Sequence, residues 1–295
     1  MVERFDVAVV GSLHLDIMVK GPHLPRLDET VIGSAWSFKC GGKGGNQAVA
    51  AAHAGAHTGF VGAIGDDDFG RRLRDNLLRA GIDCSRLAVE PNSGSGMSVA
   101  IQDAQGGYGA VVVSGANLAI DPRQFQGAAA KVLLLQNELW PEIGAAAAEA
   151  FARTGAYIIH NAAPFRPGPR QFADLVVVNR IEAAAMAGFD VVSVPDAMRA
   201  AGTIAGAFDA IVTLGGEGCV VATRHGERWH LAADKVAVVS SHGAGDAYCG
   251  TLAAAIARGA DLAAAAREAS TAAARRVAQA ADWADPRQHS LSRRY

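Results

Sequence analysis

Short runs rich in Val and Ile alternate along this chain with alanine-rich stretches, and that alternation limits the fold more than any other feature. The runs are 6–11 "DVAVVG", 58–64 "TGFVGAI", 131–136 "KVLLLQ", 156–160 "AYIIH", 174–179 "DLVVVN" and 209–214 "DAIVTL". Between them, 44–54, 67–80, 141–153, 181–187, 195–207, 246–258 and 261–280 read as helices. Alanine is the best helix former, and glycines such as Gly55, Gly81 and Gly259 stand where a helix would stop. Strands alternating with helices predict an α/β fold, a mostly parallel sheet covered by helices.

Two segments break the rhythm. Residues 12–38 are polar, extended and proline-bearing, and 96–114 "GMSVAIQDAQGGYGAVVVS" reads as a hairpin turning at Gly106-Gly107. Both alternate apolar and polar residues over much of their length, so they are expected to pair into a small sheet outside the main core, as a lid would. The chain has 295 residues, half of them hydrophobic, enough for one large domain or two ordinary ones at about 100–200 residues each. With no internal repeat and no low-complexity linker, residues 1–295 are expected to form a single domain carrying the inserted lid.

Charge and cysteine usage exclude several classes. A net charge of −2 with no long block of either sign argues against nucleic acid or a membrane surface as partner. No apolar run reaches the roughly 18 residues of a membrane helix, and "MVERFDVAVVG" reads as a first strand and not a signal peptide. Cys40, Cys84, Cys219 and Cys249 lie far apart, form no metal motif, and fit reduced thiols in a cytoplasmic protein. His14, His160 and His242 likewise lack metal-ligand spacing.

The chemistry concentrates in two glycine-rich stretches. In "SSHGAGDAYCG", 240–250, Gly243, Ala244 and Gly245 stand at the start of a predicted helix. Such an N-terminus offers unpaired N–H groups and a positive partial charge to an anion. Asp246 falls in its first turn, placed to accept a proton while the glycines stabilise a phosphoryl group in flight. The plainer alternative is a cap and a turn. The second stretch, "CGGKGGNQAVAAAHAG" at 40–55, adds Lys43, Asn46 and Gln47 as donors suited to a polyhydroxylated substrate. It is no Walker A loop, since Gly44 follows Lys43, and the chain has no GxGxxG dinucleotide fingerprint.

With these motifs the chain resembles the ribokinase family of carbohydrate and nucleoside kinases, the phosphofructokinase-B family, nearest its ribokinase branch. "GSLHLD" at 11–16, "GGKGGNQAVAAAHAG", "SGANLAID" at 114–121, "LLLQNE" at 133–138, "NAAPFRP" at 161–167, "NRIEAAAMAG" at 179–188, "VTLGGEG" at 212–218 and "GAGDAYCGTLAAAIARG" at 243–259 follow in the family's order. The resemblance implies a ribokinase-like three-layer α/β/α fold with a small β-sheet lid that also joins a homodimer. It implies an enzyme that uses ATP and Mg²⁺ to phosphorylate a hydroxyl of a sugar or related polyol. Asp246 would be the catalytic base, and Gly243, Ala244 and Gly245 the anion hole. Asp16, His14, Gly42, Lys43, Asn46 and Glu138 would bind the acceptor. Asn179, Glu182, Thr213, Gly215 and Gly218 would serve the nucleotide, Glu182 also acting indirectly on the metal.

Local readings stand beside these. Asp16 and Glu138 follow apolar strands at the sheet edge where open α/β folds bind ligands, yet either would serve in a turn. Asn179 and Glu182 match a helix capping box. Ser240-Ser241 replaces the family's Asp-Thr, whose acid also ligates an activating monovalent cation, so potassium is expected to stimulate little. His14 stands where ribokinases carry Asn, which counts against ribose itself. The helix-like segment 270–287 would border the adenine. A nucleoside kinase of the same fold and a sensor that binds without turnover are the alternatives to a sugar kinase.

Overall fold

The computed structural model describes residues 4–103, 105, 107–168, 172–240 and 242–279. Gly106 of the expected hairpin turn, Ser241, and residues 280–287 of the segment expected at the adenine lie outside the described residues.

The expected runs form strands of one nine-stranded sheet: β1 (Arg4–Val10), β4 (Thr58–Gly65), β8 (Ala129–Gln136), β9 (Tyr157–Asn161), β10 (Leu175–Asn179) and β11 (Asp209–Thr213). Three strands were not anticipated: β5 (Asp83–Glu90), β12 (Cys219–Ala222) and β13 (Arg228–Leu231). The order is β13-β12-β11-β10-β9-β8-β1-β4-β5. Pairings from β11 across to β5 are parallel, and β12 and β13 close one edge antiparallel.

The helices are α1 (Lys43–His53), α2 (Asp68–Arg79), α3 (Pro141–Ala152), α4 (Arg180–Ala187), α5 (Val194–Ile204), α6 (Ala244–Ala257) and α7 (Leu262–Ala278). Successive residues of a strand face opposite sides, which divides them between two layers. Val7 and Val9 pack with Ala48, Leu73, Leu252 and Ala265 of α1, α2, α6 and α7. Ala8 and Val10 meet Ala147 and Phe151 of α3, while Val176 and Val178 meet Ala183 and Ala197 of α4 and α5. Three layers result. Each fully buried Val, Leu or Phe contributes about 1.5–3 kcal/mol relative to exposure.

The second sheet runs β3-β2-β6-β7, from β2 (His14–Lys20), β3 (Ala35–Gly41), β6 (Met97–Gln102) and β7 (Tyr108–Val113). The expected small sheet is present, and the hairpin expected at 96–114 is the antiparallel β6/β7 pair. The sheet is mixed, because β2 and β6 run parallel while β2/β3 and β6/β7 are antiparallel. Within the first segment 21–34 form no strand, and Pro22 and Pro25 there supply no ladder donor.

Chain order reverses between β1 and β8, for β4 and β5 extend the sheet one way and β9 to β13 the other. A crevice opens outside strand ends at such a reversal. Gly11–Leu13 and Gln136–Glu138 leave the sheet there, and the lid lies across it.

Candidate active site

The crevice is one cavity of about 1320 Å³, lined by every candidate site residue except Gln47, which the sequence offered as a donor to a polyhydroxylated substrate and which instead lies buried behind the cavity. Its floor is built by glycines. Gly42 caps α1 with φ 86, and a Cβ there would lie 2.7 Å from Ser12 O. A Cβ on Gly44 would lie 2.7 Å from the Gly11 and Ser12 backbone, so the first turn of α1 sits directly on the turn after β1. This close approach brings the Lys43 N–H within 2.8 Å of Glu138 Oε2, which also accepts from Ser12 Oγ. Glu138 is therefore held by two segments, not left as a turn residue.

Asp246 lies in the first turn of α6, behind Gly243 in the left-handed region at φ 80. Helix α6 packs so tightly on α1 that a Cβ on Gly250 would lie 2.3 Å from Gln47 O. That contact brings two α1 side chains to the carboxylate: Asn46 Nδ2 donates to Asp246 Oδ2 and Gln47 Nε2 to Oδ1, both at 3.0 Å. Burial raises the Asp246 pKa above the usual carboxylate value, with the Lys43 charge and the two amides pulling the other way. At Lys43, burial opposes the charge, but the carboxylates of Asp246, Glu138 and Glu182 outweigh it and raise the pKa.

The lid contributes Asp16, on β2 opposite Lys39 and Ser98 and not at the main sheet's edge as expected. Ser98 Oγ donates to Asp16 Oδ1 at 2.5 Å. The other carboxylate oxygen lies 2.2 Å from where a Gly41 Cβ would be, so Gly41 admits the acid. His14 starts β2 and is only 6% exposed. Its Nε2 has no hydrogen-bond partner among the described residues.

The opposite half holds the remaining candidates. Asn179 and Glu182 form a full capping box: Asn179 Oδ1 accepts from Glu182 N at 2.9 Å, and Glu182 Oε2 accepts from Asn179 N at 2.8 Å. Glu182 is nevertheless buried at the cavity wall, and that burial raises its pKa against the Asn179 bond and Lys43. Local and site roles coincide. Thr213 donates to Val178 O, and Gly215 and Gly218 have φ 60 and 93. A Cβ on Gly218 would lie 1.9 Å from Leu231 O, so this glycine is required by packing against β13. Val236, Val238, Ala273, Ala274 and Val277 form an apolar wall beyond them. Val239 and Ser240 N–H groups donate to Val277 O, tying the segment before the cradle to α7. Desolvation and the Lys39 charge hold the His242 pKa below its ordinary value, against Asp16 and Asp246.

Sequence reading left several residues without these roles. Ser12, Ser98 and Gly41 hold Glu138 and Asp16, while Gln136 and Asn161 meet Gln47 in the interior. Arg276 Nε lies 3.5 Å from where a Gly243 Cβ would be. Ser12, Gly41, Gln136 and Asn161 fall inside the quoted motifs without a role of their own, and Gln47 reads as a donor beside Asn46 in a glycine-rich helix start.

A carboxylate at a helix N-terminus, facing a polar lid across a long cleft, is the layout of a small-molecule phosphotransferase. Residues 4–284 match the description "pfkB family carbohydrate kinase", and the chain belongs to that family. Mouse ribokinase is 30% identical over 263 residues, covering 85% of this chain and 81% of the mouse protein. Salmonella typhi deoxyribokinase is 31% identical over 259 residues, with 84% of each chain covered. Arabidopsis thaliana ribokinase, solved with ribose and ATP, superposes with a TM-score of 0.85 at 24% identity over 93% of both chains. The three-layer ribokinase fold and the carbohydrate-kinase class expected from the sequence are thus shown.

Proposed function

We propose that this kinase transfers the γ-phosphoryl group of ATP to a hydroxyl of a sugar or sugar-like polyol, with Asp246 as general base. The observation that carries the reading is the double amide clamp on Asp246 beside the Gly243–Gly245 cradle. It orients a buried carboxylate where an acceptor hydroxyl and an anion would meet. Asp246 accepts the hydroxyl proton while the acceptor oxygen bonds to phosphorus and the bond from phosphorus to the β–γ bridging oxygen breaks. Backbone N–H groups at the start of α6 take up the charge that develops on the transferred group.

Asp16, Lys43, Asn46 and Glu138 supply acceptors and donors around one end of the cavity, as a polyol requires. His14 and Gly42 complete that end. Asn179, Thr213, Gly215 and Gly218 border the nucleotide end. Among the described residues no cluster of His, Cys, Asp or Glu suits a metal held by protein alone. Mg²⁺ takes one or two carboxylates together with phosphates and waters. Glu182, buried and committing one oxygen to Asn179, would act on it indirectly, and the ion would neutralise phosphate charge.

The outer lid face carries Trp36, Val111 and Val113, each at least 42% exposed, which supports a homodimer joined through the lid. We assign the whole chain to one domain in the cytoplasm, in keeping with its free thiols. A nucleoside acceptor is the second reading. Met18, Ala100 and Val112 form an apolar strip on the inner lid face beyond Asp16, wide enough in character for a base. An ADP-release panel of pentoses, hexoses, polyols and nucleosides tests both. Turnover confined to nucleosides selects the second reading, and ADP release with no acceptor in the panel overturns both.

A further inference from the structure

Asp246 is clamped by two amides that differ in one respect. Asn46 lines the cavity, whereas Gln47 is fully buried behind it. The Gln47 amide has no freedom to turn. Its Oε1 accepts from Gln136 Nε2 at 2.8 Å, so its Nε2 must face the other way, where it donates at 3.0 Å to both Asn161 Oδ1 and Asp246 Oδ1. Asn161 is fixed in turn, since its Nδ2 donates to Val177 O on β10 at 3.1 Å. Reversing Gln47 would set its oxygen against two acceptors and its nitrogen against a donor, each a buried mismatch. Three amides from α1, β8 and β9 thus form a chain that is anchored to Val177 O and ends on the Asp246 carboxylate.

We infer that Gln47, locked by Gln136 and Asn161, is a positioning residue that ties down Oδ1 of Asp246 and reserves Oδ2 for the acceptor's proton. The inference rests on Asp246 being the base. Asn46, at the cavity surface, is the partner an incoming hydroxyl displaces from Oδ2. The bond from Gln47 stays in place and fixes the carboxylate plane throughout the transfer. It also favours the ionised form in a buried setting. The other ionisable groups facing Asp246 are Lys43 on α1, Glu138 after β8, His242 before the cradle and Cys249 one turn along α6. None of them bonds to Oδ1, so Gln47 is the group through which the interior sets the carboxylate's orientation.

The test titrates the Asp246 carboxyl by ¹³C NMR in unliganded enzyme labelled at aspartate, with Asp246→Asn identifying the resonance. Gln47→Leu is expected to raise its midpoint by about one pH unit, the tenfold worth of one hydrogen bond to a charged group. The acid limb of kcat moves up equally, kcat falls about tenfold, and the acceptor KM stays within about twofold. Gln136→Leu, which never touches Asp246, shifts the midpoint the same way by less, because it leaves Gln47 Oε1 without its donor and loosens the amide that holds Oδ1. A purely structural role would move neither the midpoint nor the limb, and an unchanged midpoint in either variant overturns the inference. If Gln47→Leu does not fold, Gln136→Leu decides alone. Normal turnover by Asp246→Asn would instead sink the base assignment, and the titration is read without turnover, so the two failures are distinct.

Discussion

The two glycine-rich segments that meet at the cavity use glycine for opposite ends. At 41–45 the missing side chains are replaced by protein: a Cβ on Gly44 or Gly45 would fall 2.7 Å from a Gly11 backbone atom or a Leu13 methyl. At 243–245 they are replaced by space. A Cβ on Gly245 would meet nothing within 4 Å, and one on Gly243 would meet only Arg276, at 3.5 Å. The first segment is glycine so that a helix start can rest on a strand turn and deliver Lys43, Asn46 and Gln47. In the second, Gly243 supplies the left-handed φ of 80 at the helix start and Gly245 leaves open space there. Similar letters thus encode packing in one place and vacancy in the other.

That contrast predicts that the cradle side carries chemistry separable from folding. Asp246→Asn should lower kcat by about two to four orders of magnitude while nucleotide affinity measured by calorimetry stays nearly unchanged, as expected for loss of a general base. The pH profile of the unaltered enzyme reports the same group. Burial raises the Asp246 pKa, and only the ionised form accepts a proton, so kcat/KM falls with acidity through a midpoint above the ordinary 3.8. A midpoint at or below the ordinary value would detach the acid limb from this carboxylate.

The packing side gives the next largest effect. Gly44→Ala forces a methyl into the Gly11–Ser12 backbone, which cannot give way as a flexible side chain would. A loss of about 3 kcal/mol is expected, the upper end for overpacking, seen as a lowered denaturant midpoint. Whatever fraction remains folded should keep its affinity for ATP. Gly245→Ala reverses the pattern. A methyl there finds open space and a helical backbone, so Tm holds or rises slightly, helix propensity favouring Ala by about 0.5–1 kcal/mol. The same methyl stands where a phosphoryl oxygen would approach, and kcat/KM for ATP should fall about tenfold. Equal loss of stability in both variants would erase the distinction between the segments.

The sequence showed most of the frame because its parallel strands are unbroken apolar runs between alanine-rich helices. It hid β5, whose Asp83, Arg86 and Glu90 interrupt the pattern, and β12 and β13, four-residue strands too short for a period to register. At the site, residues borne on glycine motifs were legible and their supports were not. Ser12 reaches Glu138 across 126 positions and Ser98 reaches Asp16 across 82, so no local spacing announces either bond. The Gln136–Gln47–Asn161 chain is hidden for the same reason. Amides ending two different strands look like any strand end until the sheet sets them side by side.

The smallest effect concerns the segment just before the cradle. Ser240 stands where the resemblance to the ribokinase family implies an aspartate that ligates an activating cation, and a hydroxyl brings no formal charge to hold one. Its Oγ already accepts from His242 N at 3.3 Å, and its own N–H is committed to Val277 O at 3.1 Å. Fixed positive charge is moreover present without any ion, since the Arg276 guanidinium lies against Gly243. Replacing sodium by potassium at constant ionic strength should therefore change kcat by less than about twofold, against the tenfold or more that a well-placed charge at a developing anion supplies. Ser240→Asp sharpens the point. With a carboxylate restored beside the cradle, potassium should begin to matter, and a variant as indifferent to the cation as the parent would show that this position does not govern the response.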